Sequence, residues 1–366
     1  MRQPRTYYWI LGTTSTLLLL GSVMVLSSSQ IIAFEHHHDT FYYFWRHLLS
    51  IGLGLAGGYF AYRINYKKLN KIAPALMFAT VGLLIVVFLP GAGKSAFGST
   101  RWIPLGFMNL QPSELAKLSS ILFAAYIIKL KKGHLANWND YLPLTTIIVV
   151  AAMVLLQPDL GTAFLILISV FTCIFIVGAR LDHLLTITVT GAFSGLFFIF
   201  SSSYRRQRFL GFLNPWQDPQ GRGFQIIQSM LGLGSGGIFG VGLGLGKQKF
   251  LFLPAAYTDF IVATIGEELG LIGTIGLVVA LAMFAFSGFV IASQTKDCYG
   301  KILASGITIM IIAQAIVNIA AAVGLLPITG VPLPLVSYGG SSMLFSLIGI
   351  GILLNIAKQT KLEARD

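Results

Sequence analysis

Long apolar runs broken by short polar punctuation dominate the chain. A helix crossing the hydrocarbon core of a bilayer needs roughly 20 mainly apolar residues. Thr6–Phe34 carries no charge and follows Arg2 and Arg5. It is too long for a signal-peptide core and has no small-residue cleavage site, so it predicts a retained first helix. Further helices are predicted over about 44–62, 72–90, 113–131, 141–157, 161–178, 182–201 and 263–293. From Ile302 to Ala357 no charge occurs. That length holds two helices, about 301–323 and 337–357, joined by the proline-rich turn Pro327–Pro334. The expectation is an all-α polytopic membrane protein with ten transmembrane helices.

Gly223–Gly246 could pass for an eleventh, but nine of its 24 residues are glycine, which is poor helix material. Parity agrees. With ten spans and both termini cytoplasmic, the inner segments collect Arg2, Arg5, Arg63, Lys67, Lys68, Lys71, Lys129, Lys131, Lys132, Arg180, Lys296, Lys301, Lys358, Lys361 and Arg365. The short outer loops hold only Lys94 and Arg101, with Arg46 at a helix end. An extra span would move the last five inner charges outside, against the positive-inside tendency. One large extracytoplasmic loop, about 202–262 between helices 7 and 8, carries Arg205, Arg206, Arg208, Arg222, Lys247 and Lys249. A long loop on a compact helical body is usually a working part. No internal repeat or appended domain is visible, so 1–366 reads as a single membrane domain.

Composition supports the same class. Hydrophobic residues make up 55% and charged residues 10%, against about 25% charged in soluble domains. Mean hydropathy is +0.79. Soluble, disordered and fibrous readings are excluded, and the net charge of +12 is assigned to topology rather than to nucleic acid. The two cysteines, Cys173 in an apolar run and Cys298 in a polar loop, do not suggest a disulfide scaffold.

The 13 acids can be weighed singly. Asp140, Asp182, Asp297, Glu363 and Asp366 read as solvated charges, and Asp218 as part of the turn Asn214–Gly221. Glu35 and Asp39 bracket His36–His38, but adjacent histidines do not converge on one ion, so no metal site is assigned there. Glu114 and Lys117 lie three apart on one face of a span. They either offset each other or face a polar cavity. Asp159 suits a helix cap. Asp259 stands at the outer boundary just before a helix, downstream of six basic residues. It is placed either to cap that helix or to take a proton from a sugar hydroxyl while cations stabilise a departing phosphate. Glu267 and Glu268 follow in the first turns, with at least one facing protein. Two motifs fail. Gly232–Gly237 satisfies G-x-G-x-x-G without a preceding strand, and Gly244-Leu-Gly-Lys247 lacks the rest of a P-loop.

Gly98-Ser-Thr-Arg-Trp-Ile103, Gln111–Lys117, Gln157–Thr162, Asn214-Pro-Trp216, Gly223-Phe-Gln225, Leu253-Pro254, Thr258-Asp-Phe260, Gly266-Glu-Glu-Leu-Gly270 and Leu333–Ser342 together resemble the SEDS family, the FtsW, RodA and SpoVE proteins of bacteria. The basic run Arg205–Arg208, Asn214-Pro-Trp216, Lys247 and Lys249 look closer to the FtsW and SpoVE branch. Ala255-Ala-Tyr257 departs from the family's usual Glu-Ala-His.

The resemblance implies a multi-pass peptidoglycan glycosyltransferase of the bacterial inner membrane. Such an enzyme polymerises lipid II beside a single-span class B penicillin-binding protein transpeptidase and other division or elongation proteins. It implies Asp259 as the catalytic acid of the large loop and Arg101, Glu114 and Lys117 as sensitive positions. Arg208, Arg222, Lys247, Lys249 and Ser341 complete the expected substrate-binding set. A divalent cation (Mg or Mn) bridging acid and pyrophosphate is also compatible, although the chain shows no dedicated ligand cluster. Two rivals stay open, a lipid II flippase and a non-catalytic scaffold. The motifs do not separate division, elongation and sporulation roles.

Overall fold

The computed structural model describes residues 5–363 except 92, 97, 98, 107 and 250–252. Arg2, Arg365, Asp366 and Gly98 of the first motif therefore lie outside the described residues. The N-terminal helices are α1 Arg5–His37, α2 Tyr42–Arg63 and α3 Tyr66–Phe88. Three short strands follow, β1 Lys94–Ala96, β2 Ser99–Pro104 and β3 Asn109–Leu110. Next come α4 Pro112–Leu130, α5 Thr145–Leu156, α6 Leu160–Ile176 and α7 Leu181–Phe200. Two shorter helices, α8 Ser203–Leu213 and α9 Phe224–Ser235, precede α10 Ile261–Gln294, α11 Cys298–Ala322 and α12 Gly340–Glu363.

Every apolar stretch predicted to span holds a helix. Among the described residues, six helices are long and apolar enough to cross a membrane: α1, α3, α7, α10, α11 and α12 as far as Thr360. Leu142–Leu156 and α6 are apolar but shorter. α2 and α4 carry charge within their length, Arg46 in one and Glu114 with Lys117 in the other.

Three expectations need correcting. The chain is not purely α-helical, because β1–β2–β3 form a small antiparallel sheet in that order between α3 and α4. The segment dismissed as poor helix material contains α9. Its glycines crowd into the second half, and the first half is an ordinary amphipathic helix that buries Ile226, Ile227 and Ser229. α3 begins at Tyr66 rather than near residue 72, because the Asn65 side chain accepts from the Lys67 amide and caps it, and Pro74 is tolerated inside.

α4 and α11 lie at the centre, buried along most of their length. α2 packs closely along α12 through small residues, and a side chain at Gly58 would strike the Leu347 carbonyl. α7 is the loosest element, with only His183 and Leu184 of its residues buried.

α10 is two helices. Gly270 breaks it at φ 66°, ψ −160°, a conformation open to glycine and few others. The glycine-rich segment 236–249 wraps this break. The amides of Val241 and Gly242 donate to the Glu267 and Glu268 carbonyls, and those of Leu271 and Ile272 donate to the Gly237 and Ile238 carbonyls. Gly240, at φ 80°, lies against the Glu268 carbonyl where any side chain would collide. Glu267 and Glu268, of which at least one was expected to face protein, are both buried, and their carboxylates accept amides from this wrap.

Candidate active site

Asp259 sits in the turn Leu253–Phe260 immediately before α10, outside the helix. It does not cap α10, whose start has no side-chain cap. Its backbone is instead clamped from across the fold. The Tyr338 amide donates to the Tyr257 carbonyl at 3.0 Å. The Ser337 hydroxyl donates to the Thr258 carbonyl at 2.5 Å. Asn318 of α11 donates to the Asp259 carbonyl and to the Val331 carbonyl, both at 2.8 Å. Three consecutive residues are thereby pinned to α11 and to the segment that follows it, and the Asp259 carboxylate is left half-buried beside Gly330.

Burial lifts the Asp259 carboxyl from 3.8 to about 6, against the opposing pull of Arg208 and Arg101, while Asp159 pushes the same way as burial. Four charged groups from four elements thus share one field. Arg101 of β2 is fixed by donating from Nε to the Gln157 carbonyl at 2.9 Å and from its terminal nitrogen to the Pro158 carbonyl. Asp159 caps α6 as expected, accepting from the Thr162 amide at 3.1 Å. Its other oxygen accepts from Gln111 at 3.2 Å. Arg208 of α8 lines a cleft with Arg205 and the apolar Leu155, Leu160, Ile199 and Phe209, closed by Pro327–Thr329. Hydrocarbon and guanidinium meet in that cleft. Among the described residues no three His, Cys, Asp or Glu side chains gather as ligands for a metal. The cations facing the acid are arginines.

The structure therefore brings together Asp259, Arg101 and Arg208 of the expected residues. Glu114 and Lys117 form a buried ion pair at 2.7 Å. Lys117 also donates to Gln314, whose amide donates to the Pro332 carbonyl at 2.8 Å and to Ser342 at 3.0 Å. The pair is thus linked through Gln314 to the same 331–338 segment. Of the other four expected residues, two have exposed side chains and two are hydrogen-bonded within the fold. Arg222 is exposed, with its amide held by Asp218. Lys247 is exposed and its amide donates to Glu267 at 2.6 Å. Lys249 is buried, its ammonium 2.7 Å from Glu268 and 3.0 Å from Ser27. Ser341 accepts from the Gln111 amide at 2.8 Å and donates to the Asn109 carbonyl at 3.0 Å, tying α12 to the β3–α4 junction.

Sequence reasoning did not find Asn318, Gln314 and Ser337. A signal existed for two of them: Gln314 and Asn318 stand four apart in a charge-free apolar run, hence on one helix face.

The model of the FtsW/RodA/SpoVE family, described as cell cycle protein, matches residues 7–362. A protein of Geobacter metallireducens named probable peptidoglycan glycosyltransferase FtsW is 42% identical over 313 residues, 84% of this chain and 83% of that one. Stage V sporulation protein E of Bacillus subtilis is 38% identical over 318 residues, 86% of this chain and 87% of that one. Among solved structures, a chain described under the structural coordination of polymerization and crosslinking by a peptidoglycan synthase complex superposes with a TM-score of 0.79 at 30% identity, covering 96% of this chain and 98% of that one. The rod shape determining protein RodA of Thermus thermophilus gives a TM-score of 0.71 at 27% identity, covering 96% of each. With a matching model over almost its whole length and the same fold, the chain belongs to the FtsW/RodA/SpoVE family and is a multi-pass membrane enzyme of the peptidoglycan glycosyltransferase class.

Proposed function

We propose that this enzyme polymerises lipid II at the outer face of the bacterial inner membrane, with Asp259 as general base. One observation carries the reading: a half-buried carboxyl, lifted to about 6, feels two arginines, of which Arg208 also lines a cleft that is part hydrocarbon and part guanidinium. A prenyl diphosphate sugar has the same two-part chemistry. The acceptor hydroxyl oxygen attacks the anomeric carbon, and the bond from that carbon to the diphosphate oxygen breaks. The hydroxyl proton passes to Asp259, and the negative charge gathering on the diphosphate is met by Arg208 and Arg101. A carboxylate with a raised pKa is a stronger base than an exposed aspartate and is still mostly ionised at neutral pH.

The topology fitting this placement is the ten-span arrangement, with both termini cytoplasmic and the large loop outside, as the basic residues distribute. A single-span class B penicillin-binding protein is the partner in keeping with the synthase-complex neighbour. Lys249 and Ser341 are reassigned from substrate binding to holding the fold, since both are buried and hydrogen-bonded within it.

The test is strand formation from purified lipid II, read on gels with and without the transpeptidase and set beside lipid II translocation in vesicles. Polymer without obligatory translocation is expected, whereas translocation without polymer would establish the flippase. The initial rate is expected to rise as pH passes through about 6, because the base must be unprotonated. A rate that falls through that range would remove Asp259 from the role. Replacing Asn318 with leucine leaves two buried carbonyls without their donor, each worth about 1–3 kcal/mol. It is expected to lower kcat roughly tenfold or more through misplacement of Asp259, with KM for lipid II little changed.

A further inference from the structure

We propose that Tyr43, Tyr257 and Tyr338 form a carbohydrate-binding ledge beside Asp259 that holds the glycan chain during polymerisation. The proposal rests on the glycosyltransferase reading above and adds a subsite to it.

The three rings come from separate segments: the start of α2, the turn before α10, and the residues before α12. Ring centres lie 4.8 Å apart between Tyr43 and Tyr257, 5.4 Å between Tyr43 and Tyr338, and 5.7 Å between Tyr257 and Tyr338. Tyr257 is two residues from the acid, and its carbonyl is held by the Tyr338 amide. Tyr257 and Tyr338 are therefore tied to the turn that carries Asp259. All three side chains are half-buried, neither sunk in the core nor loose in solvent. The rings continue outward through Tyr42, 5.2 Å from Tyr43, to the exposed His37, stacked on Tyr42 at 3.6 Å. Beneath them His47, one helical turn from Tyr43, is buried with its ring centre 6.4 Å from Tyr338. Neither of its ring nitrogens has a hydrogen-bond partner among the described residues.

The chemistry separates the parts of an amphiphilic substrate. A prenyl tail needs hydrocarbon walls and a diphosphate needs cations, and both are in the Arg208 cleft. A pyranose presents C–H faces and a rim of hydroxyls. Aromatic faces edged by phenol groups match both, since a phenol donates and accepts while its ring offers apolar area. A row of rings leading away from the base suits an extended oligosaccharide better than a single sugar.

Two measurements on the full-length protein test this. With lipid II as substrate, Tyr43→Ala and Tyr257→Ala are expected to shorten product strands about five- to tenfold, the effect of losing an aromatic contact. Tyr257→Phe should recover most of the length lost in Tyr257→Ala. Normal strand lengths in both alanine variants would overturn the ledge while leaving the glycosyltransferase reading intact. No polymer from the unaltered protein would instead overturn that reading. Should the alanine variants fail to fold, the second measurement needs none: nitration of Tyr43 and Tyr257 by tetranitromethane, located by mass spectrometry, is expected to slow when lipid II is added. Equal rates with and without lipid II would overturn the ledge.

Discussion

Replacing Asp259 with asparagine is expected to stop glycan synthesis while making the protein harder to unfold. The loss of activity follows from the role of the base, worth about 10²–10⁴ in rate. The gain in stability follows from the carboxyl being lifted from 3.8 to about 6 by burial. A carboxyl whose folded pKa is raised binds its proton more tightly in the folded state. Its contribution is therefore most favourable at low pH and is lost as pH climbs through about 6. Above that, the folded protein carries a buried charge that the unfolded chain would solvate, a penalty of roughly 1–3 kcal/mol once the neighbouring arginines and partial exposure are considered. Asparagine keeps the shape and carries no charge. Thermal unfolding should show Asp259→Asn melting above the parent at pH 8, with the gap narrowing as pH falls through about 6 and closing near 3.8. A gap that is absent, or that widens on acidification, would mean the carboxylate is stabilised in place, and the case for a poised base would fail with it.

The site proposed around Asp259 was partly legible in the chain. Asp259 stood out because acids are few, and Glu114 with Lys117 because their spacing puts them on one helix face. The apolar helices were legible because bilayer thickness sets a length that apolar runs must meet, and six of them among the described residues meet it. The clamp was not. The Asn318 amide reaches carbonyls at Val331 and Asp259, residues that share no local pattern with it. Charge alone placed Lys249 with the expected substrate-binding cations, and only the folding back of 236–249 onto the broken α10 brings it into contact with Glu268. Averaging glycine over 223–246 hid α9 in the same way, since its N-terminal residues, 224–231, hold no glycine.

Breaking the Lys249–Glu268 pair is expected to be the most damaging single change to the fold. Both side chains are almost wholly inaccessible, with the ammonium 2.7 Å from the carboxylate. The same carboxylate accepts from Ser27 of α1 at 2.7 Å and from the Gly244 amide at 3.0 Å. It joins α1, the glycine-rich wrap and the first half of α10. Lys249→Met leaves that carboxylate buried without its cation, which costs about 3–5 kcal/mol, whereas removing both charges together costs far less. The melting temperature should fall sharply for Lys249→Met and recover in part for Lys249→Met with Glu268→Gln. Lys247→Ala, which deletes an exposed side chain two residues away, should hardly move it. Activity is expected to follow stability in this series, because the Leu253 amide donates to the Gln248 carbonyl at 2.9 Å and so starts the turn that carries Asp259 from the end of the wrap. Were Lys249 instead a diphosphate ligand, Lys249→Met would raise KM for lipid II and leave the melting temperature in place. Measuring both quantities in one variant therefore separates a lysine that holds the substrate from one that holds the loop behind the base.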